Sequence, residues 1–144
     1  MFKSIDQYPD TWSVARGTRM GMPIVIRFRD GLKEAVGHPR YPFQIGIAIP
    51  LLHPTVDGLP EDSEAKELDT IESSLKNVIV AGGGVFVMAI TTNGMRELVF
   101  YFPNMDATII QDTVDSLSVA PHKLQFMIQE DSRWDTYKTL IPSS

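Results

Sequence analysis

The sequence has no cysteine among its 144 residues, which excludes a disulfide framework, a thiolate metal site and a cysteine nucleophile together. Histidine is scarce, with three copies. His38, His53 and His122 fall in a loop, after a strand and after a proline, without the i, i+3 or i, i+4 spacing of ordered metal ligands, so neither a metal nor a cofactor is expected. Basic residues are the minority, 13 against 18 acidic, for a formal net charge of -5. Binding to a phosphate backbone relies on clustered Lys and Arg, so nucleic acid is a poor partner for this chain. Long apolar runs are missing as well. None approaches the roughly 20 residues of a membrane span, and Met1-Phe2-Lys3-Ser4-Ile5-Asp6 lacks the apolar stretch of a signal peptide, so no membrane partner and a soluble, cytoplasmic protein are expected. No Gly-x-Ser-x-Gly turn occurs, and Ser73-Ser74 fall within a helical pattern. No catalytic residue follows from any motif.

What is present is a hydrophobic content of 43%, enough for one ordinary domain spanning residues 1–144. The strongest local signal is Asn93-Gly94 between two apolar runs, a tight β-hairpin. With those two as loop residues, Ile90 faces Glu97, Ala89 faces Leu98, Met88 faces Val99, Val87 faces Phe100 and Phe86 faces Tyr101. One face then carries Val87, Ala89, Leu98 and Phe100, the other Phe86, Met88, Ile90, Val99 and Tyr101. Both are apolar, so cover is expected on both sides.

Upstream, Trp12 to Arg16, a turn around Gly17 and Gly21, and the alternating Pro23 to Arg29 read as another hairpin. Asp30 to Phe43 reads as a long surface loop, and Gln44 to Leu51 as a strand with Ile45, Ile47, Ile49 and Leu51 on one side. Leu68, Ile71, Leu75 and Val78 form the stripe of a helix from about Pro60 to Val78, with Glu61, Asp62, Glu64, Glu67, Asp69 and Glu72 on its outer face. Gly82-Gly83-Gly84 follows a helix and opens a strand, the reverse of a phosphate loop, so it reads as a helix stop or connector. Asp106 caps a second helix with Ile110, Val114 and Leu117 on its buried stripe, ended by Pro121. Lys123 to Gln129 alternates as a final strand, and the tail from Glu130 to Tyr137 forms a helical turn.

From Gln44 onward the order is strand, helix, strand, strand, helix, strand. That is an α+β, ferredoxin-like (split βαβ) sandwich over about 44–130, with an added N-terminal hairpin over about 12–29 and a helical tail over 131–141. Right-handed crossovers place both helices on one face. The opposite face, with Phe86, Met88, Ile90, Glu97, Val99 and Tyr101, is too apolar to be left wet. The hairpin folds over it, another subunit covers it, or it lines a ligand cavity.

Trp12, Gly21-Met22-Pro23, Arg27-Phe28-Arg29, Asp57-Gly58-Leu59-Pro60, Glu72, Thr91 to Gly94, Arg96-Glu97, Phe100-Tyr101, Asp131, Trp134 and Tyr137 together resemble the bacterial family catalogued as domain of unknown function 695. The resemblance runs from Trp12 to Leu140. Asp131 is followed by Ser132-Arg133 where the family pattern leads one to expect a proline near Trp134. The resemblance implies no substrate, cofactor or catalytic residue.

Three sets of residues are candidates for function. Arg27 and Arg29 project from one side of a strand, and such a pair forks onto a carboxylate or phosphate; the structural alternative pairs them with Glu97, Asp131 or Asp135. Glu97 beside Tyr101 offers an acid and a proton donor, against the plainer reading of a structural partner. Trp134 and Tyr137, at i and i+3, either anchor a protein partner or pack the tail onto the sheet. The expected function is a non-enzymatic protein-binding or regulatory module, with a protein partner or self-association. The alternative is a small-molecule or anion-binding protein, conceivably an enzyme, using Arg27, Arg29, Glu97 and Tyr101 in a cleft between hairpin and sheet.

Overall fold

The computed structural model describes residues 1–104, 106, 108–117 and 122–142; the expected helix stop at Pro121 and the side chain of Leu117 lie outside the described residues. Six strands, β1 (Trp12–Arg19), β2 (Met22–Arg29), β3 (Phe43–Pro50), β4 (Val85–Thr92), β5 (Met95–Phe102) and β6 (Gln125–Glu130), form one open antiparallel sheet in the order β1-β2-β4-β5-β3-β6. Three helices accompany it: α1 (Asp62–Ala81), α2 (Thr108–Leu117) and α3 (Asp135–Leu140). None of the helices is long and apolar enough to cross a membrane.

The β4–β5 hairpin turns at Asn93 and Gly94, both at positive φ (49° and 79°), the conformation a two-residue loop needs to match strand twist. The β1–β2 hairpin departs from expectation. Its first strand runs unbroken through Gly17 to Arg19, and the turn is made by Met20 and Gly21 at φ 52° and 82°.

Pairing in β4–β5 follows the expected register from Thr92↔Met95 to Met88↔Val99, then shifts, so that Phe86 faces Phe100 and Val85 faces Tyr101. The extra residue is a β-bulge, and it reverses which faces the preceding side chains take. Phe86, expected on the far face, stacks on Phe100 with ring centroids 4.8 Å apart and joins the core beneath the helices. Val87, expected under the helices, packs instead with Met88 and Ile90 on the other side.

Helix α1 buries Glu64, Leu68, Glu72, Leu75 and Ile79, while Val78 is exposed. Two acids expected on its outer face are therefore on its inner one, and each is satisfied there. Glu64 accepts backbone N–H groups and Glu72 meets arginines. The glycine run closes the helix: Gly82 N–H donates to the Val78 carbonyl and Gly84 N–H to that of Ile79, both at 3.0 Å, with Gly83 at φ 105°. At the start of α2, the Asp106 carboxylate accepts the Thr108 N–H at 3.1 Å.

The second sheet face is covered by the chain itself. Residues Asp30–Ala35 of the expected loop form a 3-10 helix that buries Leu32 and Ala35, and Tyr8, Tyr41, Trp134 and Tyr137 complete the layer. The N-terminal hairpin does not fold over this face. It extends the sheet, with β2 hydrogen-bonded along β4 from Ile24↔Thr92 to Phe28↔Met88. Along Ile24–Phe28 the expected cleft between hairpin and sheet is closed by backbone pairing, and past that stretch a pocket lined by Trp12, Arg29, Lys76, Val85 and Phe86 remains.

Candidate functional site

Arg27 and Arg29 lie on the helix side of β2, away from Glu97 and Asp131. Arg27 Nη2 donates to Glu72 Oε1 at 2.6 Å, and its guanidinium lies 6.0 Å from the Trp12 ring centroid. Arg29 donates to the carbonyls of Pro9 (3.1 Å) and Tyr8 (3.0 Å) and sits 3.6 Å from Asp10. These partners replace the acids expected from the sequence. Buried Arg96 completes the arrangement through Asp69 (2.8 Å), Glu72 (3.4 Å) and Thr91 Oγ1 (3.3 Å). Arg27, Glu72, Thr91 and Arg96, which all carry the family resemblance, thus form one polar seam between α1 and the sheet. Buried charges persist when paired and hydrogen-bonded in this way.

Tyr101 belongs to a different group. Its ring stacks on Trp134 (4.3 Å between centroids, 9° between planes), and its hydroxyl donates to Asp131 Oδ2 at 2.7 Å. Asp131 also accepts the N–H groups of Asp135 (2.8 Å) and Thr136 (3.1 Å), fixing the first turn of α3. Trp134, in the left-handed conformation at φ 57°, donates Nε1–H to the Tyr41 carbonyl at 2.9 Å. The Tyr137 hydroxyl donates to the Arg29 carbonyl at 2.7 Å. Burial, first of all, pushes both tyrosine hydroxyls well above their ordinary range. Trp134 and Tyr137 have no exposed surface, so they pack inward and are not available to anchor a partner. Nor does Tyr101 serve Glu97 as a proton donor. Three residues of strand lie between them, a separation of roughly 13 Å.

Glu97 lines an open groove at the turn end of the sheet with Arg19, Ile90, Asp135, Thr136, Thr139 and Leu140. Its carboxylate lies against Gly46, where an added Cβ would come within 2.9 Å of Oε2 and push the carboxylate aside. Burial raises the Glu97 pKa, and the positive charge of Arg19 opposes the rise. A half-buried acid beside an arginine can both accept and, once protonated, donate a hydrogen bond to a polar group entering the groove.

The histidines fall into three settings. His38 is buried, with Nε2 2.7 Å from the Lys3 carbonyl, and His53 is exposed. His122 is buried beside Glu67 (3.4 Å) and Glu64 (4.0 Å), so that one imidazole and two carboxylates present their ligand atoms within 4.8 Å of one another. Sequence spacing could not reveal this group, because 55 positions separate His122 from Glu67. The buried stripe of α1 was the one available signal, since it places Glu64 inward.

Neither a curated protein nor a solved structure matches the chain. A family model does match, over residues 10–141. That span takes in the polar seam, the aromatic group around Trp134 and all three components of the His122 cluster, and by it the chain belongs to the family of unknown function DUF695.

Proposed function

We propose that this protein is a non-enzymatic protein-binding or regulatory module: a ferredoxin-like sandwich formed by β3-α1-β4-β5-α2-β6, with the β1–β2 hairpin added at its edge. It docks through the turn end of the sheet. The observation that carries this reading is the exposure of Met20 (96%), Val56 (96%) and Met95 (42%) at that end. Met20 occupies a left-handed turn position that costs a side chain roughly 1–2 kcal/mol, with no burial to offset it. Val56 sits in the loop tied to the β4–β5 turn, where Gly94 N–H donates to the Gly58 carbonyl at 2.8 Å. Flexible methionines suit a surface that must adapt to a partner, and Arg19 and Glu97 beside them supply charged ends for its orientation.

A second reading, a small anionic ligand, rests on Arg19 in the same groove rather than on Arg27 and Arg29, which already bond Glu72 and the carbonyls of Tyr8 and Pro9. A photo-crosslinking amino acid placed at Met20 or Met95 tests docking in cells that carry the native protein. A common protein adduct from both positions, and none from Met127 on β6, supports it. Absence of an adduct at both positions overturns it. A saturable rise in melting temperature with phosphate, lost in Arg19→Gln, supports the second reading instead.

A further inference from the structure

We propose that Glu64, Glu67 and His122 form a binding site for one divalent metal ion of the zinc class. The argument begins with the proton on His122. Its Nδ1 lies 2.9 Å from the Pro50 carbonyl oxygen. A carbonyl only accepts, so Nδ1 carries the hydrogen, and in the neutral ring Nε2 presents a lone pair. That lone pair faces Glu67 Oε2 at 3.4 Å and Glu64 Oε2 at 4.0 Å. Three acceptors thus converge, two of them on residues at most 5% exposed. A cation among them resolves the repulsion.

The surroundings have the form of an outer coordination shell. Metal-ligating histidines generally donate their second ring N–H to a carbonyl or carboxylate, and ligating carboxylates are themselves held by hydrogen bonds. Here Pro50 orients His122, and the N–H groups of Leu52 (2.5 Å) and His53 (3.0 Å) orient Glu64. These bonds come from outside the three ligands. Bonds of about 2.0–2.1 Å in a tetrahedron put ligand atoms roughly 3.4 Å apart. The His122–Glu67 separation already has that value, and Glu64 needs only a small approach. The Glu67 side chain is 61% exposed, which gives an ion a path in and leaves a fourth position for water. One imidazole with two carboxylates suits Zn2+ and its first-row neighbours rather than thiolate-seeking ions, and the two carboxylates balance the charge of a divalent cation. The bound ion would tie the end of β3 and the first turns of α1 to the segment entering β6.

The competing arrangement is a doubly protonated His122 ion-paired with the two acids. Tag-free protein, stripped with a chelator, is titrated with zinc chloride by calorimetry, and its metal content is measured after dialysis. The expected result is one Zn2+ per chain, a saturable rise in melting temperature, and a dissociation constant at least tenfold weaker in Glu67→Gln and in His122→Gln. Glu61→Gln, an exposed acid outside the cluster, should bind as the unaltered protein does. Glu67 is solvent-exposed, so Glu67→Gln keeps the comparison valid if His122→Gln fails to fold, which circular dichroism reports. Imidazole 15N resonances of the metal-free protein should show a protonated Nδ1 and an unprotonated Nε2 that shifts on zinc addition. No stoichiometric uptake, uptake unchanged in Glu67→Gln, or an Nε2 that is protonated and insensitive to zinc would overturn the proposal.

Discussion

The two faces of the sheet are covered by different means. Beneath α1 and α2 the core is largely aliphatic, with Ile45, Ile47, Ile49, Leu68, Leu75 and Ile79 packed against Leu98 and the Phe86–Phe100 pair. On the other face the cover is assembled from pieces far apart in the chain: Tyr8, the 3-10 helix with Leu32, Tyr41, and the tail with Trp134 and Tyr137. Regular helices supply a continuous apolar stripe and need little else. Short or irregular segments cannot, and this face depends on large aromatic rings whose polar atoms reach backbone carbonyls, as Trp134 Nε1 does at Tyr41 and the Tyr137 hydroxyl at Arg29. Aromatic side chains bring much buried area per residue together with a polar handle, which suits a cover that contributes few residues from each segment.

Trp134→Ala tests this difference most severely. It removes the stack on Tyr101 and the bond to Tyr41, and should cost about 3–5 kcal/mol in denaturant unfolding. Hydrogen exchange should rise first in residues 131–141 and around Tyr41, with α1 protected; a uniform rise would mean that the two faces open as one unit. Glu72→Ala probes the polar seam on the helix side. It strands buried Arg96 beside a single remaining acid, Asp69, and frees Arg27, whose side chain is 35% exposed. A loss of about 3 kcal/mol is expected, the low end for a broken buried ion pair because Arg27 relaxes into water. A double-mutant cycle with Arg27→Gln measures the share that belongs to that pair.

Gly94→Val should lower stability by about 1–2 kcal/mol, since valine resists the φ of 79° that the turn requires. Both faces share β4 and β5, so probes on either side should lose stability in parallel, read as a common shift in denaturation midpoint. Glu97→Gln should give the smallest effect, with the opposite sign. The folded-state pKa of Glu97 lies above its ordinary value of 4.5 because burial disfavours the charged form. The folded protein therefore holds this proton more tightly than the unfolded chain, and stability falls as pH rises through that interval. Glu97→Gln should be slightly more stable than the parent at pH 7 and lose the advantage below about pH 4.5; thermal unfolding at the two pH values checks it.

Much of the helix-side layer was legible because its signals are local. Leu68 and Leu75 repeat at helical spacing, and Leu98 and Phe100 alternate with the strand period. The same logic failed at Phe86 and Val87, where one inserted residue between Phe86 and Met88 exchanged their faces, and no side-chain pattern announces a bulge between two apolar surfaces. Among candidate site residues, Arg27, Arg29 and Glu97 were recognisable as charges needing partners, but the partners were not. Glu72 lies 45 positions from Arg27, and helical periodicity treats an acid as an outward residue until an arginine meets it.

By itself, the sequence determined what depends on neighbouring residues or on composition. Asn93-Gly94 reverses the chain because those two residues tolerate positive φ. The glycines after Ala81 stop a helix because they close its last turn, and cysteine chemistry is excluded because no cysteine is present. Tertiary structure alone decided what depends on distant groups arriving together: Trp134 facing inward onto Tyr101, Arg96 joining Arg27 at Glu72, and His122 meeting Glu64 and Glu67. The reason is physical. A backbone preference is set by sterics within a few residues, whereas a buried charge or ring is tolerated only where the folded chain supplies its partner.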